Sequence, residues 1–171
     1  MLERNRGFTL VEAMVALALL AILSSLAAPT LMRAIHAQQV RRASIDLAMA
    51  FILAREEAIT RQIPVIIDNL DDDWTNGWTI FVDLDSDGGL DDGEPVLKTA
   101  DDIASGVRIS GNTPVSRYVR YTPSGEARLH NGAFQAGTLT LCHDSGQQPL
   151  RRLVLSATGR LRTVKEEAGS C

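Results

Sequence analysis

A chain of 171 residues, 45% apolar and only 5% aromatic, argues against several domains: it suits one folded domain with appendages, its core built from Leu, Ile, Val and Ala. The net charge of −4 says little until it is broken down by position. Residues 64–100 hold ten carboxylates against Lys98 alone, whereas residues 103–165 hold Glu126 and Asp144 against nine cations, which points to an acidic lobe beside an anion-binding one.

Residues 1–7 are polar and contain Arg4 and Arg6. An apolar segment follows in which Glu12 is the only charge before Arg33, and residues 13–32 are uncharged. As a helix this run covers about 30 Å, the hydrocarbon thickness of a bilayer. A secretory signal would place its cleavage site after the apolar core; here Gly7 precedes it. The basic residues before the helix predict a cytoplasmic end and an exported remainder. A carboxylate within a membrane segment costs about 2.5–3.5 kcal/mol and calls for a partner.

The run Gly7-Phe8-Thr9-Leu10-Val11-Glu12 resembles the processing signature of type IV prepilins and type II secretion pseudopilins. The resemblance implies an inner-membrane precursor, cleaved by prepilin peptidase between Gly7 and Phe8 and N-methylated on Phe8. It also implies that Glu12 pairs with the Phe8 amine of a neighbouring subunit in the filament. Two charges that are each costly in lipid stabilise one another when paired.

Pro29 is expected to kink the helix. Beyond Arg33 the pattern turns amphipathic, with Val40, Ala43, Leu47, Phe51, Ala54 and Ala58 at helical spacing. The other face, with Arg41, Asp46, Arg55, Glu56 and Arg61, reads as solvated, and Pro64 marks the end. From Pro64 the pattern is strand-like: 64–67, 78–82, 95–98, 107–110, 117–122, 127–130, 137–142, 152–156 and 160–164, with turns such as Asn76-Gly77, Ser124-Gly125 and Asn131-Gly132. No internal repeat or low-complexity linker is seen. The expected fold is α+β: a leader (1–7), a membrane and assembly helix (8–32), its amphipathic continuation (33–63), and a β-rich head of antiparallel sheets (64–171).

The head resembles the GspH/FimT/FimU group of minor pilins and pseudopilins. The carrying residues are Asn76-Gly77-Trp78, Gly93-Glu94-Pro95-Val96, Tyr121-Thr122-Pro123-Ser124-Gly125, Leu141-Cys142 and the tail Leu153 to Arg162 with a terminal cysteine. FimT-like members bind DNA through a C-terminal Gly-Arg-x-Arg motif, matched by Gly159, Arg160 and Arg162. The resemblance therefore implies a minor pilin that primes pilus assembly or captures double-stranded DNA, with Arg151, Arg152 and Lys165 as further contacts. Arg117, Arg120 and Arg128 join them if the strands pair suitably. Phosphate contacts of this kind are sequence-nonspecific and salt-sensitive. The alternative is a GspH-like pseudopilin of a type II secretion system with a structural role alone.

Two further patterns concern stability. Asp83, Asp85, Asp87, Gly88 and Glu94 satisfy the EF-hand loop formula. Their flanks read as strands, so an acidic hairpin loop is favoured over a calcium site, and no cofactor is required. In an exported chain the default for Cys142 and Cys171 is one disulfide. Catalysis finds no support: His36, His130 and His143 are scattered, and the chain has no nucleophile elbow or phosphate-cradling loop.

Overall fold

The computed structural model describes residues 9–169. The leader with Gly7, the Phe8 of the cleavage site, and Cys171 lie outside the described residues. One helix, α1 (Leu10–Arg61), precedes strands β1 (Val65–Leu70), β2 (Asp73–Val82), β3 (Val96–Ala100), β4 (Val107–Gly111), β5 (Tyr118–Tyr121), β6 (Gly137–His143), β7 (Pro149–Leu155) and β8 (Leu161–Ala168). The chain divides between Ile35 and His36 into two compact units.

In the first unit, α1 begins at an N-cap that the signature itself supplies. The Glu12 amide donates to Thr9 Oγ1 at 3.2 Å, so Thr9-Leu10-Val11-Glu12 starts the helix as a capping sequence does. The Glu12 carboxylate sits in the first turn, where the helix dipole favours negative charge. The helix runs on through Pro29, is long and apolar enough here to cross a bilayer, and exposes its large apolar side chains.

In the second unit, residues 36–61 of α1 bury the expected stripe: Val40, Ala43, Leu47, Phe51, Ala54 and Ala58. The helix stops where Gln62 takes a left-handed φ of 58° and its Nε2 donates to Ile59 O at 2.6 Å, an amide cap on the last turn. The outer face differs from the solvated face expected. Ile45, Met49, Ile52 and Ile59 are 41–58% exposed among its charges, and Arg55 is half-buried.

The strands form two antiparallel four-stranded sheets, ordered β3-β2-β1-β5 and β4-β6-β7-β8. Helical Leu47 and Phe51 share one buried cluster with Ile67, Trp74 and Ile80 of the first sheet and Leu139, Leu141 and Leu153 of the second. The Trp74 indole donates to Val115 O at 3.0 Å, which lets a polar edge lie in that core.

Three boundaries correct the expectation. Asn76-Gly77 lies inside β2 rather than in a turn. The β1–β2 turn is Asp71-Asp72, whose φ values of 52° and 61° suit a two-residue hairpin. A Cβ on Gly77 would fall 2.0 Å from Ala100 O, so the glycine permits close approach of β3. Residues 127–130 form only isolated bridges, Tyr121 to Ala127 and Arg128 to Phe134, because the chain turns back at once through Leu129–Ala133. The last strand begins at Leu161, leaving Arg160 in the turn before it.

Candidate nucleic-acid interface

Gly159, Arg160 and Arg162 stand at the hairpin joining β7 to β8. The Ser156 amide donates to Arg160 O at 2.9 Å and the Gly159 amide to Ser156 O at 2.8 Å. Ser156 Oγ donates to Arg160 O at 3.1 Å and lies 2.9 Å from Thr158 Oγ1. Gly159 has a φ of 76°, as the last position of a three-residue hairpin loop requires.

The same turn occurs earlier in the chain. The Thr122 amide donates to Glu126 O at 2.9 Å and the Gly125 amide to Thr122 O at 2.8 Å. Thr122 Oγ1 donates to Glu126 O at 3.2 Å and lies 2.9 Å from Ser124 Oγ; Gly125 has a φ of 74°. Thr122-Pro123-Ser124-Gly125-Glu126-Ala127-Arg128 is thus a structural twin of Ser156-Ala157-Thr158-Gly159-Arg160-Leu161-Arg162. The likeness lies in turn geometry, since only the glycine and the closing arginine are identical between the two segments. The signal was a hydroxyl residue, then another two places on, glycine, and arginine three places after it.

The twins differ in charge. In the first, Glu126 pairs with Arg128 at 2.9 Å, and the Arg128 guanidinium also lies 4.5 Å from the Phe134 ring centroid. In the second, Arg160 replaces the acid. Five of the nine cations in residues 103–165 are in ion pairs: Arg108 with Asp144, Arg117 with Asp72, Arg120 with Asp83, Arg128 with Glu126 and Arg152 with Glu166. Among the described residues, the four cations of this stretch in no ion pair are Arg151, Arg160, Arg162 and Lys165, all on the β7–β8 hairpin. β5 pairs with β1 in the other sheet, so strand pairing does not bring Arg120 beside this hairpin, and Arg117 and Arg128 are engaged with Asp72 and Glu126.

The hairpin's register sorts the five expected contacts onto two faces. Residues directly opposite across a ladder share a face, and neighbours along a strand alternate. Arg152 faces Val164 and Val154 faces Arg162, whereas Arg151 faces Lys165. Arg152 and Arg162 therefore share one face; Arg151 and Lys165 occupy the other. Arg160 and Arg162 border one shallow cleft with Val154, Ser156 and Leu161. Both are exposed, and Arg152 on their side is already held by Glu166 at 3.2 Å.

The acidic loop lies between β2 and β3, with strands on both flanks. Ligand atoms of Asp83, Asp85 and Asp87 lie within 4.8 Å of one another. Their oxygens already accept hydrogen bonds, however. Asp83, fully buried, accepts from Arg120 Nε at 3.2 Å and from the Gly88 amide at 3.2 Å. Glu94 accepts from the Leu84 amide at 2.7 Å and the Asp91 amide at 3.2 Å. The first carboxylate of the formula is thus paired with a guanidinium, and both oxygens of the last accept from backbone amides. Mutual repulsion, led by Asp87, raises the Asp91 carboxyl above its usual range.

His143 stacks on His36 of α1, ring centroids 3.9 Å apart, and its Nδ1 accepts from the Ser145 amide at 3.2 Å. Burial first, then His36, lowers its pKa. Cys142 is buried and carries no free thiol.

Solved structures show the same helix-and-two-sheet fold. The type IV minor pilin FimU of Pseudomonas aeruginosa PAO1 is 22% identical, with a TM-score of 0.58 over 74% of this chain and 89% of that one. The minor pseudopilin EpsH from the type 2 secretion system of Vibrio cholerae is 16% identical, with a TM-score of 0.53 over 74% of this chain and 97% of that one. The fold is that of pilin-type subunits. Residues 3–28 match the prokaryotic N-terminal methylation motif. Residues 43–159 match the family described as type II transport protein GspH, and the chain belongs to that family. No curated protein matches it.

Proposed function

We propose that the chain is a minor pilin of a type IV pilus whose β7–β8 hairpin binds double-stranded DNA without sequence preference. The carrying observation is that every cation of residues 103–165 left without an ion pair lies on that hairpin, with Arg160 and Arg162 on one cleft. Cationic side chains free of carboxylates are what phosphate contacts need. Arg160→Gln with Arg162→Gln is expected to abolish retardation of duplex DNA by the full chain in nonionic detergent. Unchanged retardation at low salt refutes the reading.

Assembly rests on the other end. Prepilin peptidase would cut between Gly7 and Phe8 in the inner membrane, Phe8 would be N-methylated, and Glu12 would pair with the Phe8 amine of a neighbouring subunit. The aliphatic side chains Ile45, Met49, Ile52 and Ile59 on the outer face of α1 support burial against other pilin subunits, since such a face is poorly suited to water. Glu12→Ala is expected to leave processing intact and to stop incorporation into filaments.

A second reading is favoured by the GspH match: a pseudopilin of a type II secretion system, structural and without a ligand. In that case wild-type chain and the double arginine variant retard DNA equally. No cofactor enters either reading. Calcium at Asp83–Glu94 would have to displace Arg120 from Asp83, and heat on calorimetric titration with calcium would reveal it.

A further inference from the structure

Arg55 of α1 reaches both twin turns. Its Nε donates to Gly125 O at 2.8 Å and its Nη2 to Thr158 O at 3.2 Å, although 70 and 103 residues separate them in sequence. The turns are pressed together beneath it. A Cβ on Gly159 would lie 2.0 Å from Gly125 O and 3.1 Å from Arg55 Nε, so glycine alone fits there. The Ala127 amide donates to Ala157 O at 3.3 Å, and the Tyr121 hydroxyl to Gly159 O at 3.4 Å. Burial raises the pKa of that hydroxyl, which keeps it a donor. The residue after this clamped glycine is Arg160.

We propose that Arg55 is a positioning residue for the polyanion site: by bridging the two turns it fixes the backbone from which Arg160 and Arg162 project. This rests on the DNA-binding reading above. The planar fork of a guanidinium can hold two carbonyls at once, whereas an ammonium is a point donor on a flexible stem. Two of its five N–H donors are spent on backbone oxygens, and Arg55 is assigned this bridging role rather than a phosphate contact. Without it, ordering Arg160 falls to the moment of binding. Immobilising one such side chain weakens affinity by about 2- to 10-fold.

The test is retardation of a random-sequence duplex by the full chain in nonionic detergent, at several salt concentrations, with thermal midpoints recorded beside it. Arg55→Lys keeps the charge and loses the fork. It is expected to bind about 2- to 10-fold more weakly than wild type, with the slope of log K against log salt unchanged. Arg55→Gln is expected to weaken binding at least as much, and to cost less on an Arg160→Gln background than on wild type, since part of its effect runs through that side chain. Lysine at 55 binding as tightly as arginine overturns the proposal, because charge alone then suffices. A slope shallower by about 0.9 in Arg55→Lys or Arg55→Gln also overturns it, since that marks a lost phosphate contact. If Arg55→Gln fails to fold, Arg55→Lys carries the test. Should wild type and the Arg160→Gln, Arg162→Gln double variant retard DNA equally, the DNA reading falls and this proposal with it. Should only the double variant lose binding while Arg55→Lys matches wild type, this proposal alone falls.

Discussion

On the proposed reading, the salt dependence of DNA binding separates the Arg160 and Arg162 pair on one cleft from the five-cation cluster suggested by the sequence. Each neutralised phosphate contributes about −0.9 to the slope of log K against log salt on duplex DNA. Five contacts (Arg151, Arg152, Arg160, Arg162 and Lys165) would give a slope of about −4.5 and an affinity loss of about 500-fold for a fourfold rise in salt. The register places Arg151 and Lys165 on the opposite face, and Arg152 is held by Glu166. Arg160 and Arg162 alone give a slope of about −1.8 and a loss of about 12-fold over the same range. Fluorescence anisotropy of a labelled random duplex, titrated with the full chain in nonionic detergent at stepped salt, measures it. A slope steeper than about −3.5 would mean that both faces reach phosphate, and the face assignment would be wrong.

Other consequences can be measured on the same chain. Arg120→Met strands the buried Asp83 carboxylate and should lower stability by about 3–5 kcal/mol in urea denaturation. Gly159→Ala forces a side chain into a left-handed φ and into Gly125 O, and should cost about 2 kcal/mol or more, read from the same titration. His143 has a folded pKa below its usual 6.5, so the unfolded chain takes up the proton first. Stability is then full above that pH and falls as pH drops through it. Thermal midpoints between neutral and mildly acidic pH should show this fall, and His143→Gln should flatten it. A disulfide between Cys142 and Cys171, the default pairing in an exported chain, would make reduction cost about 3–4 kcal/mol. A chain that keeps its thermal midpoint in reductant, or whose non-reduced mass shows two thiols, would contradict that pairing.

Much of the fold could be read from spacing. The stripe from Val40 to Ala58 is buried as its period requires, and the alternation in residues 137–142 and 152–156 falls on β6 and β7. What escaped depends on partners far along the chain. Arg55 looked like a solvated residue because periodicity ranks polarity and cannot show that a loop carbonyl 70 residues on comes to meet it. Asp83 matched the first position of a calcium-loop formula that counts carboxylates within the loop alone, whereas its partner Arg120 arrives from 37 residues away. Arg151 and Arg152 looked equivalent because the face of a strand residue is set by register, and the ladder of Leu153 with Thr163 is visible only once β7 and β8 are paired. Asn76-Gly77 carries the usual turn dipeptide, but its glycine serves the neighbouring strand instead.

The twin turns have a consequence for how such a surface can change. Both copies share backbone, hydroxyl pairing and glycine, and each ends on an arginine two places past a variable residue. With Glu126 in that place the arginine is neutralised; with Arg160 there, Arg162 is in no ion pair among the described residues. The scaffold thus carries one turn geometry twice, and the exchange of Glu126 for Arg160 reverses the charge it presents. The charge at such a turn is thereby set apart from the glycine and hydroxyl contacts that hold its backbone.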